Sequence, residues 1–128
     1  MATEQNIAHW FDISVADLAR AQAFYETVLG VTMEPKEQGP VKMAWFRQHK
    51  GAPNCAGGLV QAPGKAPCRD GTLIYLHVGD VDATLAKVVA AGGKIAMPSA
   101  SGDYGTVAHF EDSEGNVVGL YGDPKPAK

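Results

Sequence analysis

A repeat inside the chain constrains its fold more than any other feature. "ISVADL" at 13–18 recurs 63 residues later as "LHVGDV" at 76–81. Val15 aligns with Val78 and Asp17 with Asp80, and the same offset carries Gly30 onto Gly93 and Pro35 onto Pro98. A fixed internal period means that one supersecondary unit has been used twice. In the first copy, residues 7–15 read as a strand. Asp17 then suits a helix N-cap, because its carboxylate can accept from the free amides of the first turn. Leu18, Ala21, Phe24, Tyr25, Val28 and Leu29 follow at helical spacing and give one apolar face. Gly30 can take the left-handed conformation that stops a helix. Three strands are expected near 31–36, 41–48 and 55–61. The second copy repeats the plan: a strand at 72–79, a helix from Asp80 to about Ala91, a Gly92-Gly93 stop, and strands near 94–97, 106–111 and 116–122. "QAPGKAPCRDG" (61–71) is rich in Pro and Gly and reads as the linker.

Each copy is therefore βαβββ, and the fold class is α+β. One helix cannot cover the sheet of its own unit, so the units should pair. The expectation is one domain over 1–128, with module one at about 7–60 and module two at about 72–122. The two tandem βαβββ modules would form a cupped mixed sheet, paired within a chain or by exchange between two chains. A homodimer is expected.

The 128 residues suffice for one real core. A net charge of −3 without a basic run offers no surface for nucleic acid. No stretch approaches the ~18 apolar residues of a membrane span, and "MATEQNIAHW" carries no export signal. Cys55 and Cys68 have neither metal spacing nor a disulfide framework, so they read as reduced thiols of a cytoplasmic protein. Phosphate loops, serine elbows and Cys–His nucleophile patterns are missing from the sequence.

"FDISVADLARAQAFYETVLGV" (11–31) and "EDSEGNVVGLYG" (111–122) sit within this arrangement. Together they resemble the vicinal oxygen chelate superfamily, which holds glyoxalase I, extradiol dioxygenases and bleomycin-resistance proteins. The likeness runs from about Ile7 to Gly122 and is greatest to small proteins related to lactoylglutathione lyase. In metal-using members each module gives one ligand from its first strand and one from its last. The resemblance places those positions at Trp10, Gly58, Leu73 and Gly119. None has a donor side chain, and divalent metals need imidazole, carboxylate or thiolate ligands. No metal and no cofactor are therefore expected. Gly119, inside a strand, reads as a side chain removed to make room.

Alternation along the strands puts Trp10, Asp12 and Ser14 on the cup side of module one. Tyr75 and His77 take the same side in module two, with Tyr121 beside Gly119. These seven residues, Trp10, Asp12, Ser14, Tyr75, His77, Gly119 and Tyr121, are the expected ligand-binding set. Aromatic walls with a few polar groups are how small-molecule sites are built, and the alternative is that the rings fill the cup as core. His77 is the candidate acid–base group, since histidine titrates near neutrality. Asp12 is its candidate partner. The bland alternative for His77 is a hydrogen-bonded histidine without chemistry. His109 and Glu111 share a strand face and carry no assigned role. His9 is expected under the helix layer, and "PSASGDYG" (98–105) as a loop able to cover the cup with Asp103 and Tyr104. Two functions remain open. One is a metal-free protein that binds a small molecule. The other is a lyase, isomerase or dioxygenase-type enzyme, either working by metal-free acid–base chemistry or using an unexpected metal set.

Overall fold

The computed structural model describes residues 6–124. The first module runs β1 (Phe11–Ser14), α1 (Leu18–Leu29), β2 (Glu34–Gln38), β3 (Val41–Trp45) and β4 (Gly57–Gln61). The second runs β5 (Tyr75–His77), α2 (Val81–Ala90), β6 (Lys94–Gly102), β7 (Gly105–Glu111) and β8 (Val117–Gly122). Both helices start where expected. Asp17 accepts from the Arg20 amide and Asp80 from the Ala83 amide, each from extended backbone. Gly30 ends α1 at φ 66°, in the left-handed region.

Each module folds as one four-stranded mixed sheet, β1-β4-β3-β2 and β5-β8-β7-β6. The first strand of each module runs parallel to the last, and the other pairings are antiparallel. Thus the α+β class and the βαβββ repeat hold. No ladder joins the two sheets among the described residues. β1 and β5 are each outer strands.

The modules are joined instead through their helix sides. α1 packs on α2, and Phe24 and Tyr25 of α1 meet Phe110 of β7 at ring-centroid distances of 6.1 and 6.3 Å. One continuous buried cluster includes Ile13, Phe24, Tyr25, Val28, Leu59, Val88, Phe110, Val118 and Leu120. The core thus lies between the sheets and the helices. Strand alternation sends the other face of each sheet outward.

The turn at 112–116 fastens module two to the start of α1. Asp112 is buried and accepts from the Tyr25 hydroxyl at 2.7 Å and from the amides of Glu114 and Asn116. Glu114 accepts from the amides of Ala16 and Asp17 and pairs with Arg20 at 2.7 Å. Asn116 donates to the Ser14 carbonyl. Burial drives the Tyr25 hydroxyl well above its ordinary range, reinforced by the Asp112 charge. Burial also works against the Glu114 carboxylate. The hydrogen bonds from Arg20, the Asp17 amide, Ser113 and the Ala16 amide outweigh it and lower Glu114 to about 2. "DSEGN", which reads as a turn, is therefore also the inter-module staple.

Two local expectations change. Residues 98–102 are not loop but the second half of β6, which forms a hairpin with β7 through the turn at 103–104. The ladder supplies the reason: Ala100, Ser101 and Gly102 pair with Val107, Thr106 and Gly105, and irregularities at 95–100 absorb Pro98. A paired hairpin is not a loose lid. His9 precedes β1 and is exposed, not covered by helix.

Candidate functional site

The outward faces of the two sheets carry most of the expected site residues. In module one the register sets Asp12, Gly58, Trp45 and Glu34 in one row across the sheet. A Cβ on Gly58 would come 2.8 Å from Trp45 Cδ1 and 2.9 Å from the Ala44 carbonyl, so the Trp45 indole rests on the glycine. Trp10 meets Trp45 edge-on at 5.2 Å, and its Nε1 donates to Asp12 at 3.0 Å. The Lys36 ammonium stands 5.0 Å from the Trp45 ring centroid, in cation–π range.

Module two repeats the row with different chemistry. Tyr75, Gly119, His109 and Met97 lie in register. A Cβ on Gly119 would come 2.5 Å from Tyr75 Cδ2. The missing side chain of Gly119 is therefore the seat of the Tyr75 ring. Tyr75 Oη lies 2.8 Å from His109 Nε2. In the next row His77 and Tyr121 are paired, and His77 Nε2 lies 3.0 Å from Asp123 Oδ1. The Tyr121 hydroxyl donates to the Tyr104 carbonyl at 2.6 Å. Gly58 and Gly119 thus hold equivalent places, each next to the first strand and each under an aromatic ring.

The module-two face is open at Tyr75, which is 47% exposed, whereas Trp45 of module one is half-buried, with its Nε1 buried and unpaired among the described residues. Trp10, Asp12, Ser14, Tyr75, His77 and Tyr121 all border one open cleft of about 1980 Å³ between the edges of β1 and β5. Gly119 lies beneath Tyr75 instead. Asp12 does not pair with His77. Their strands edge different sheets, so the carboxylate takes Trp10 and the imidazole takes Asp123. Glu111 is held by Arg69 at 3.4 Å.

Trp45 and Asp123, which sequence reasoning did not single out, complete the arrangement together with His109, which it noted only for sharing a strand face with Glu111. Strand alternation could have placed His109 beside Gly119, but only once the β7–β8 register was fixed.

A metal does not fit the positions inherited from the resemblance. Trp10, Gly58, Leu73 and Gly119 offer no donor, and rings occupy the space above both glycines. Among the described residues no group of three or more His, Cys, Asp or Glu side chains is placed to hold a metal.

The family model described as "Glyoxalase/Bleomycin resistance protein/Dioxygenase superfamily" matches residues 7–120. The chain belongs to this superfamily. A relative in Mycobacterium tuberculosis, named "Putative glyoxylase CFP32", is 30% identical over 124 residues, covering 91% of this chain and 46% of that protein. The chain therefore spans about half the length of this curated relative. TnmS3, an antibiotic binding protein from Streptomyces, superposes with a TM-score of 0.66 at 26% identity, covering 96% of this chain and 98% of the other. A glyoxalase I variant from Zea mays gives 0.70 at 22% identity, covering 89% of this chain and 45% of that one. This last likeness shows the fold alone.

The superfamily's paired-module plan fits the two sheets. Among the described residues no helix is long and apolar enough to cross a membrane.

Proposed function

We propose that this superfamily member binds a small amphipathic or aromatic molecule without a metal, between the outward sheet face of one module and that of another. The single observation that carries this reading is the pair of ring-on-glycine seats, Trp45 over Gly58 and Tyr75 over Gly119, the second with its residue 47% exposed. A core needs no ring as exposed as that of Tyr75. A binding wall does, because Tyr and Trp give broad contact area with one polar handle each. The antibiotic-binding role in the name of TnmS3 supports the same reading.

A homodimer belongs to this proposal. The cleft exceeds the ~300–1,000 Å³ of a usual ligand pocket and is not enclosed. A second copy would set its Tyr/His face against the Trp face of the first, and a twofold would make two such cups. Free thiols at Cys55 and Cys68 suit a reducing, cytoplasmic setting.

The test combines mass and fluorescence. Light scattering at micromolar concentration should give twice the chain mass. In a Trp45→Phe background, Trp10 emission should respond to members of an antibiotic panel that includes bleomycin. A monomer whose emission no compound changes defeats the reading.

A further inference from the structure

The tryptophan wall of module one is built to attract positive charge. Asp12, Gly58, Trp45 and Glu34 stand in one row across the sheet, so a carboxylate lies to either side of the indole. Gly58 puts no side chain of its own between Asp12 and the ring. Trp45 Nε1 is buried and has no partner among the described residues. The Trp10 Nε1 proton is already given to Asp12 at 3.0 Å. Neither indole N–H is therefore free for an acceptor on a ligand. What Trp45 has left to offer is its π face, and the face of an aromatic ring is negative.

A cation of the chain itself already stands on that face. Lys36 Nζ lies over the Trp45 ring, 5.0 Å from its centroid, and 3.8 Å from Glu34 Oε2. The Lys36 side chain is 42% exposed, so it can swing into water at little cost. Asp12 is exposed, and among the described residues no lysine or arginine pairs with it. Trp10 meets Trp45 at 5.2 Å with the ring planes 69° apart. Two indoles set at a steep angle with carboxylates beside them form the kind of aromatic corner that holds alkylated ammonium groups.

We infer that this wall is an organic-cation subsite, which takes the alkylated ammonium end of a ligand onto Trp45 in place of Lys36. The inference rests on the binding reading above and names the ligand chemistry that one wall selects. The exchange is favourable because the two cations differ in hydration. The Lys36 ammonium is compact and strongly hydrated, and it regains its water on leaving. An alkylated ammonium gives up less water to reach the ring, and it brings a second charge interaction within reach of Asp12. An anion meets the opposite: two carboxylates and no free indole donor.

The experiment uses the full chain at low salt and three probes that share one ring and differ in charge: benzyltrimethylammonium, benzyl alcohol and benzoate. NMR follows the indole N–H signals of Trp10 and Trp45, the two tryptophans of the chain, assigned with Trp45→Phe. Benzyltrimethylammonium should shift the Trp45 signal and bind about tenfold more tightly than either other probe. Lys36→Met clears the ring and should tighten its binding about threefold, whereas Lys36→Arg keeps a cation there and should stay near the parent. Asp12→Asn should weaken it about threefold and leave benzyl alcohol unchanged. Circular dichroism on each variant confirms the fold. Equal binding of the three probes, tighter binding of benzoate, or a Lys36→Met variant that binds the cation no better than the parent overturns this inference and leaves the binding reading standing. Absence of any binding by benzyltrimethylammonium also overturns it, and the response of Trp10 to the antibiotic panel then judges the binding reading separately.

Discussion

The two modules share a backbone plan and diverge on the face they turn outward. Inward, both present small and branched apolar residues to a common core: Ile13 and Leu59 from one, Val118 and Leu120 from the other. Outward, the row through Gly58 holds Asp12 and Trp45, and the row through Gly119 holds Tyr75 and His109. The glycine and the ring above it persist, while the polar chemistry changes from an indole beside lysine to a phenol beside imidazole. Packing constrains the inward face, because a close-packed interior registers changes of even one methylene. The outward face is free of that constraint. A duplicated scaffold can thus make two unlike walls, and two unlike walls can grip opposite ends of one molecule.

The sharpest way to break this contrast is to cut the inward face at the joint. Phe110 is fully buried and touches rings of α1 from the other module. Phe110→Ala should cost ~3–5 kcal/mol in urea unfolding, and should loosen both modules in one transition. If only module two melted early, the modules would be energetically separate and the shared core would be misread. Asp112→Ala comes next. It leaves the buried Tyr25 hydroxyl and the amides of Glu114 and Asn116 without their acceptor, at ~2–3 kcal/mol.

Glu114 tests the same joint by pH. Its folded value of about 2 lies below the ordinary 4.5. The unfolded chain binds this proton more tightly, so stability is present above pH 4.5 and falls as pH drops from 4.5 towards 2. Exposure of Arg20 to solvent limits the contribution to about 1–2 kcal/mol. Glu114→Gln should therefore lower the melting temperature at pH 7 and flatten its decline between pH 4.5 and 3. An unchanged acid profile would show that the staple carries no charge-dependent stability.

The repeat, both helix caps and the inward faces were legible in the sequence because their signals are local. Asp17 and Asp80 cap helices three residues ahead, and apolar spacing is counted along one segment. The outward rows were half legible. Alternation sets Asp12 and Ser14 on the face of β1 opposite the buried Ile13, but which residue sits beside Gly119 depends on cross-strand register. The places of His109 and Trp45 beside the two glycines therefore lay hidden, and the room that Gly119 leaves is taken by the Tyr75 ring. The Asp12–His77 pairing failed for a topological reason: β1 and β5 edge separate sheets. "PSASGDYG" misled because Pro, Ser and Gly signal loops, while here a bulged edge strand tolerates them.

The smallest stability effect belongs to the outward face, and it decides between wall and core. Trp10 makes one edge-on contact with Trp45 and one hydrogen bond to Asp12, and it lies outside the buried cluster. Trp10→Ala should cost about 1 kcal/mol of chain stability, the worth of an aromatic pair. A buried indole would cost ~3–5 kcal/mol. Ligand affinity should respond more strongly, because a ring that packs on a bound molecule removes apolar area at ~25 cal/mol per Å². The informative measurement is thus a ratio: urea unfolding and ligand titration on the same variant, beside Tyr75→Phe as the control from the other wall. Tyr75→Phe keeps the ring on Gly119 and removes only the hydroxyl, so its stability should match the parent. A Trp10→Ala loss of several kcal/mol in unfolding, with ligand affinity unmoved, would assign the tryptophan face to the core and leave only the Tyr/His wall as a binding surface.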